Sequence, residues 1–290
     1  MGLSRRGAVP PGGGEGRALD LLDGAALRAV VRDLRPEIVY HLAALSSVGR
    51  SWEDPAETVN DNMATALNVL DAVRLDAPSA RIVWVSSCEV YGAPERLPVR
   101  EEAPVNPANP YAVSKTAGDL LAGVYGDAYG LEVVRARPFS HTGPGQRPMF
   151  VVASLARQAA EARIAGAESV TIVTGNPDTR RDFTDVRDIV DAYRLLASRA
   201  QAGIYNVSSS DSISTAEQVH LLAELIAPIR VEHFVDPARV RAHEVMDLRG
   251  SNDRITAATG WKPEIPFKQT MADAIDWWVR ELTRERAVRH

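Results

Sequence analysis

The chain has one cysteine, Cys88, so no disulfide can form within it. That absence points to a reducing, cytoplasmic setting. The six histidines are scattered, and none makes an H-x-x-x-H pair or a Cys/His cluster, so no metal site is expected. No basic run exceeds two residues, as in Arg5-Arg6, and the net charge is −5, which leaves no footprint for nucleic acid. No apolar stretch approaches the length of a membrane span, and the N-terminus has no signal-peptide core. What is present is 290 residues, 45% hydrophobic, enough for one large α/β unit and a smaller lobe.

Strands alternate with helices in the first half. Residues 37–43, 81–86 and 131–136 are short, apolar and β-branched, and read as buried strands. Apolar spacing predicts helices near 24–35, 58–75 and 110–128. This alternation implies βαβ units and a parallel sheet covered on both faces. Residues 203–207 read as a further strand returning to that sheet. After Pro138 the texture changes to loops rich in Gly, Pro and Arg, with helices near 149–163, 186–198 and 215–226. The tail carries Trp261-Lys262-Pro263 and then an amphipathic helix with Trp277 and Trp278.

A glycine-rich phosphate loop is not evident. Gly12-Gly13-Gly14-Glu15-Gly16 is neither preceded by a strand nor followed at once by a helix, so residues 7–17 read as a surface loop.

Two features carry candidate chemistry. Tyr111 and Lys115 sit four apart in Asn109-Pro110-Tyr111-Ala112-Val113-Ser114-Lys115, which places them on one helix face. A nearby ammonium favours the phenolate of a tyrosine and lowers its pKa. Val85-Ser86-Ser87-Cys88-Glu89 ends a buried strand, where open α/β sheets bind ligands. Ser87 suits a hydrogen bond to a reacting oxygen, and Glu89 suits acid–base work. The plain alternatives are a surface helix, a serine cap and a solvated glutamate. Asp182, Asp185 and Asp188 recur every three residues; helix capping by Asp185 and a solvated face are expected there rather than a metal site.

With His41-Leu42-Ala43-Ala44, Arg135 to His141, Arg180 to Val186 and Thr259-Gly260-Trp261-Lys262-Pro263, these motifs resemble the extended short-chain dehydrogenase/reductases of the NAD(P)-dependent epimerase/dehydratase family. Within that family the second half is most similar to the GDP-6-deoxy-4-keto-D-mannose reductases, with the GDP-mannose 4,6-dehydratases next. The resemblance implies a Rossmann-type doubly wound sheet over residues 1–137 and about 182–208. It implies a small nucleotide-sugar-binding lobe over 138–181 and 209–290.

The resemblance also assigns roles. Tyr111 matches the catalytic tyrosine, Lys115 the lysine that supports it and holds the nicotinamide ribose, and Ser87 the residue that orients the substrate oxygen. Glu89 stands where the dehydratases carry a catalytic glutamate. Asn62 matches the structural asparagine behind the site. Asp20 and Leu21 match the loop at the adenine, and Leu42, Ala43 and Ala44 the turn along the cofactor. Pro138 to His141 match the segment lining the nicotinamide. Arg181 and Arg241 match contacts to the nucleotide diphosphate, with Glu244 beside the base or ribose. Ser140 departs from the family's asparagine. Ser4 and Arg5 stand where an acidic residue commonly ends the second strand, which favours NADP over NAD.

The implied activity is NADP-dependent reduction of a GDP-4-keto-6-deoxy sugar by a homodimer. A dehydratase or epimerase, or a non-catalytic sugar-nucleotide-binding homologue, are the alternatives. The match begins mid-fold. The family's first strand, glycine turn and helix are not represented, so Met1 is expected to be a late start, with roughly 30 residues preceding it.

Overall fold

The computed structural model describes residues 1–5, 7, 14–240 and 245–288. In chain order the elements are β1 (Gly2–Ser4), β2 (Gly16–Ala18), α1 (Gly24–Leu34), β3 (Ile38–His41), α2 (Val48–Glu53), α3 (Pro55–Asp76), β4 (Arg81–Val85), α4 (Pro110–Tyr129) and β5 (Glu132–Pro138). They continue with β6 (Ser140–Thr142), α5 (Val151–Ala165), β7 (Ser169–Thr174), β8 (Arg180–Arg181), β9 (Phe183–Asp185), α6 (Val186–Arg199), β10 (Gly203–Val207) and β11 (Ile213–Ser214). The last are α7 (Thr215–Ile226), β12 (Arg230–Val235), β13 (Asp247–Leu248), α8 (Asp253–Thr259) and α9 (Phe267–Val288). Among the described residues no helix is long and apolar enough to cross a membrane.

The chain divides into two compact units. The first holds residues 1–92, 104–137 and 195–205; the second holds 93–103, 138–194 and the chain from Asn206 onward. Residues 93–103, 182–194 and 206–208 therefore lie outside the first unit, unlike the expected boundaries. Their hydrogen bonds explain this. The Val99 amide donates to the Arg249 carbonyl at 2.9 Å, and Asp182 accepts from the Gly250 amide at 3.1 Å.

The first unit is an α/β fold with parallel strands. Its main sheet has the order β10-β5-β4-β3, and β1 pairs with β2 in a separate two-stranded parallel sheet. The buried face is built by Leu70, Val73, Ile82 and Trp84, with Leu27 from α1 and Val133 from β5. Helix α3 starts where Asp54 accepts from the Glu57 amide and Pro55 occupies the first turn, three residues before the apolar pattern begins. Strand β2 overlaps the end of the segment read as a surface loop. It is three residues long with no apolar alternation, and backbone pairing to β1 defines it.

The second unit centres on Leu155, Ala159, Ile172, Leu222, Met271 and Ile275. Trp278 of α9 is buried in this cluster, with Trp277 packed against it. Strands β7 and β12 pair in parallel, and β8 lies between β11 and β13. Helix α7 opens with a reciprocal capping box between Ser214 and Glu217.

Candidate active site

Strand β4 is apolar and buried through Trp84, and it delivers two hydroxyl residues at its carboxyl end. The Ser86 amide donates to the Ala136 carbonyl at 2.8 Å, which extends the pairing with β5. At Ser87 the chain turns. Its Oγ accepts from the Glu89 amide at 3.2 Å and caps the short 3-10 turn Cys88–Tyr91. Gly92 ends that turn at φ 60°, and a Cβ there would lie 1.9 Å from the Asn106 carbonyl oxygen, so the position admits only glycine.

Helix α4 presents the Tyr–Lys pair. Asn109 caps it and Pro110 fills its first position. Gly118 allows α4 to lie close over Trp84, since a Cβ there would sit 3.2 Å from the indole ring. Tyr111 and Lys115 are both buried, one turn apart. The Tyr111 phenol is hydrogen-bonded with Ser87. The Lys115 ammonium donates to the Val85 carbonyl at 2.5 Å.

Burial pushes the Tyr111 phenol up from its ordinary pKa, and the hydrogen bond with Ser87 opposes that rise. This differs from the sequence expectation of a tyrosine lowered by lysine. Desolvation dominates in this arrangement, and the ammonium is turned to the Val85 carbonyl. Burial also lowers Lys115 to about 8, against the opposing pull of Asp119.

The turn after β3 comes to the same place. His41, Ala43, Ala44, Asn62, Ser114 and Lys115 line a recess of about 10 Å³, room for one water. Asn62 ties it together: it accepts from the Leu45 amide at 2.8 Å, and its Nδ2 donates to the Leu45 carbonyl at 3.2 Å and to Ser114 Oγ at 2.8 Å. Leu42 is exposed. The parallel pairing of β1 with β2 sets Ser4 opposite Ala18, so Ser4 and Arg5 meet Asp20 and Leu21 at the carboxyl ends of both strands. Arg5 lies 3.5 Å from Asp20 and 3.6 Å from Asp61.

Behind the Tyr–Lys face lies a buried network. Arg137 of β5 donates to Asp119 of α4 at 2.5 Å and to the Tyr91 hydroxyl at 3.0 Å. Asp119 stands one turn beyond Lys115. Asp119 does not stand out in the sequence, and Asn109 opens the Tyr–Lys motif without a role of its own there, because each fits an ordinary helix position.

The second unit holds the remaining candidates. Pro138 is buried at the end of β5, and Ser140 and His141 lie on β6, which pairs with β9. His141 Nδ1 lies 3.0 Å from the Phe139 carbonyl oxygen, and burial lowers the pKa of this imidazole. A separate cavity of about 540 Å³ is lined by Met149, Phe150, Asn176, Arg181, Gln218 and Arg239, among others. Arg181 is anchored there by one nitrogen, which donates to the Arg180 and Val245 carbonyls at 2.7 and 2.8 Å. Arg239 was not expected as a site residue. It closes the short Pro237–Arg239 turn capped by Asp236 and stands two positions before Arg241 in the sequence. Arg241 and Glu244 lie outside the described residues.

The aspartates at 182, 185 and 188 do not form a solvated face; all three are buried. Each has its own partners. Asp182 accepts from Ser209, Ser210 and Gly250, Asp185 from Arg187 and Thr270, and Asp188 from the Glu264 and Ile265 amides. Asp185 does cap α6 through the Arg187 amide at 2.8 Å.

The model of the family described as GDP-mannose 4,6 dehydratase matches residues 17–274. The chain belongs to that family. Among curated relatives, the GDP-6-deoxy-D-mannose reductase of Pseudomonas aeruginosa is 40% identical over 269 residues, covering 92% of this chain and 88% of that one. The solved structure of the P. aeruginosa protein RMD with NADPH matches with a TM-score of 0.83 at 37% identity, covering 91% and 88% of the two chains. The UDP-glucose 4-epimerase of Thermus thermophilus with NAD matches at 0.81 and 29%, covering 93% and 86%. The chain is accordingly an NAD(P)-dependent nucleotide-sugar enzyme with the Rossmann-type short-chain dehydrogenase/reductase fold.

Proposed function

We propose that the protein is an NADP-dependent reductase of a GDP-4-keto-6-deoxy-hexose, converting GDP-4-dehydro-6-deoxy-D-mannose to a GDP-D-rhamnose type product. The observation that carries this reading is the buried Tyr111, hydrogen-bonded with Ser87 and one turn from Lys115. The likeness to the P. aeruginosa reductase supports the sugar and the direction.

The residues fit the cofactor at both ends. Ser4 and Arg5 would hold the adenosine side with Asp20 and Leu21, and the absence of an acid at the end of β1 admits a 2′-phosphate. Leu42, Ala43, Ala44, Tyr111 and Lys115 would hold the nicotinamide side. When bound, the reduced nicotinamide supplies hydride to the C4 carbon of the ketone.

The chain's own residues manage the proton. Burial keeps Tyr111 protonated at neutral pH, which is the form a donor needs. Tyr111 gives its proton to the C4 oxygen as the alcohol forms. Ser87 stabilises the resulting phenolate by hydrogen bonding, and Lys115 adds positive charge beside it. In the second unit, Arg181 and Arg239 would take the diphosphate in the 540 Å³ cavity, while Ser140 would meet the sugar or diphosphate. By the family resemblance Arg241 would join the diphosphate contacts and Glu244 would stand beside the base or ribose.

Incubating the protein with NADPH and the GDP-4-keto sugar tests the reading: absorbance at the nicotinamide band falls. A second reading, a GDP-mannose 4,6-dehydratase, is favoured by the half-buried Glu89 carboxylate beside Ser87. It predicts conversion of GDP-mannose with no net NADPH loss. Binding of GDP without NADPH would favour a non-catalytic homologue.

The proposal includes a homodimer through α3 and α4. Val113, Leu120 and Val124 are exposed on α4 at spacings of seven and four, and Leu67 is exposed on α3. Val124→Arg is expected to turn a dimer into a monomer by sedimentation; a monomeric wild type would sink that part.

A further inference from the structure

One side chain joins Glu89 to the start of α4. The Asn109 Oδ1 accepts from the Ala112 amide at 2.7 Å, as a helix cap should. Its Nδ2 donates to Glu89 Oε2 at 3.0 Å. A cap needs only the oxygen, and serine or aspartate would serve. A carboxamide presents an acceptor and a donor on separate atoms, so only asparagine caps and donates at once from this position.

Glu89 is held at both ends as a result. Its amide donates to Ser87 Oγ at 3.2 Å, and Ser87 is hydrogen-bonded with Tyr111. Its carboxylate is held by Asn109, two residues before Tyr111. Among the described residues no cation pairs with Glu89, and its Oε1 has no protein partner. A half-buried carboxylate with one oxygen pinned and the other open is set to meet a ligand hydroxyl.

We propose that Asn109 is a positioning residue, fixing the Glu89 carboxylate so that Oε1 accepts from a hydroxyl of the bound hexose. This rests on the reading of the Tyr111 site as the place of sugar chemistry. Asn109 acts through Glu89 and touches no reacting atom.

Separating the cap from the donor tests this. Asn109→Ser and Asn109→Asp keep a capping oxygen. The serine loses the reach to Glu89, and the aspartate replaces a donor with a like charge. Asn109→Ala removes both functions. The serine and aspartate variants are expected to melt with the wild type and to keep the KM for NADPH. Their kcat with the GDP-4-keto sugar falls about tenfold in the serine variant and further in the aspartate variant. In a Glu89→Gln background, Asn109→Ser is expected to cost little more, because the two act as a unit. Wild-type kcat in both capping variants, with only Asn109→Ala melting lower, would reduce Asn109 to a cap.

A second arm does not need turnover. With glutamate carboxyls labelled by carbon-13, the Glu89 resonance is identified by its loss in Glu89→Gln. It is expected to move in Asn109→Ser and Asn109→Asp, and an unmoved resonance overturns the proposal. A wild type inactive with the keto sugar counts against the reductase reading alone, since the resonance still decides whether Asn109 holds Glu89.

Discussion

Arg137 and Asp119 form an ion pair closed off from solvent, with nitrogen and oxygen 2.5 Å apart. The other Asp119 oxygen is buried without a hydrogen-bond partner. The pair ties β5 to α4 just behind Lys115, and Arg137 reaches on to the Tyr91 hydroxyl at 3.0 Å. Removing one partner strands a buried charge, which costs about 3 to 5 kcal/mol. Arg137→Met is therefore expected to lower stability by that amount in urea unfolding. The paired variant Asp119→Leu with Arg137→Met is expected to lose less, since neither charge is left alone. Equal losses in the single and paired variants would show that the ion pair is not what the arginine contributes.

Lys115 predicts an alkaline limit to activity. Burial lowers it to about 8, and Asp119 opposes that shift. The ammonium is lost as pH rises through about 8, so kcat is expected to fall by about tenfold per pH unit above that point. Unfolding does not mimic this loss. The folded pKa lies below the ordinary value of 10.5, so between about 8 and 10.5 the unfolded chain binds more protons, and this group adds stability as pH rises. Rates measured from pH 6 to 10, with circular dichroism at each pH, separate the two. A residual Lys115→Met rate that fell off at the same pH would assign the limb to another group.

What the sequence made legible follows from periodicity. Four-residue spacing in a helix puts Tyr111 and Lys115 on one face whatever surrounds them. The strand leading to Ser87 is apolar and bounded by turn residues, so its position is readable too. The aspartates at 182, 185 and 188 show where such reading stops. Three-residue spacing suggests one helical face, but the chain passes from strand to helix at Asp185, and the side chains part to different partners. Asn109 hides its second role for another reason. The cap accounts for the residue fully, and the reach to Glu89 depends on a turn 20 residues away. Strand β2 carries no alternation at all; pairing with β1 makes it a strand.

Arg181 is expected to matter more through its shape than its charge. It is anchored at the cavity by one nitrogen bonded to two carbonyls, which leaves the rest of the fork for an anion. Arg181→Met is expected to weaken GDP binding by about tenfold or more in calorimetric titration. Arg181→Lys keeps the charge but loses the fork, so it is expected to recover only part of the affinity. Wild-type affinity in both variants would move the diphosphate away from this residue.

His41 is expected to set an acid limit to stability. It packs on Trp84 with ring centroids 4.3 Å apart and is buried. Burial, with the charge of Lys115 adding to it, holds its pKa down to about 3 from an ordinary 6.5. The folded pKa lies below the unfolded one. Between about 6.5 and 3 the unfolded chain therefore binds more protons, and stability falls as pH drops through that window. Above it both states are neutral and the group has no effect. From pH 6.5 to 5 the loss is about 2 kcal/mol, a large part of a marginal stability. His41→Phe keeps a ring against Trp84 and removes the proton. Its urea midpoint is expected to vary less between pH 8 and pH 5 than that of the wild type. If both proteins lose the same stability over that range, another group governs the acid side.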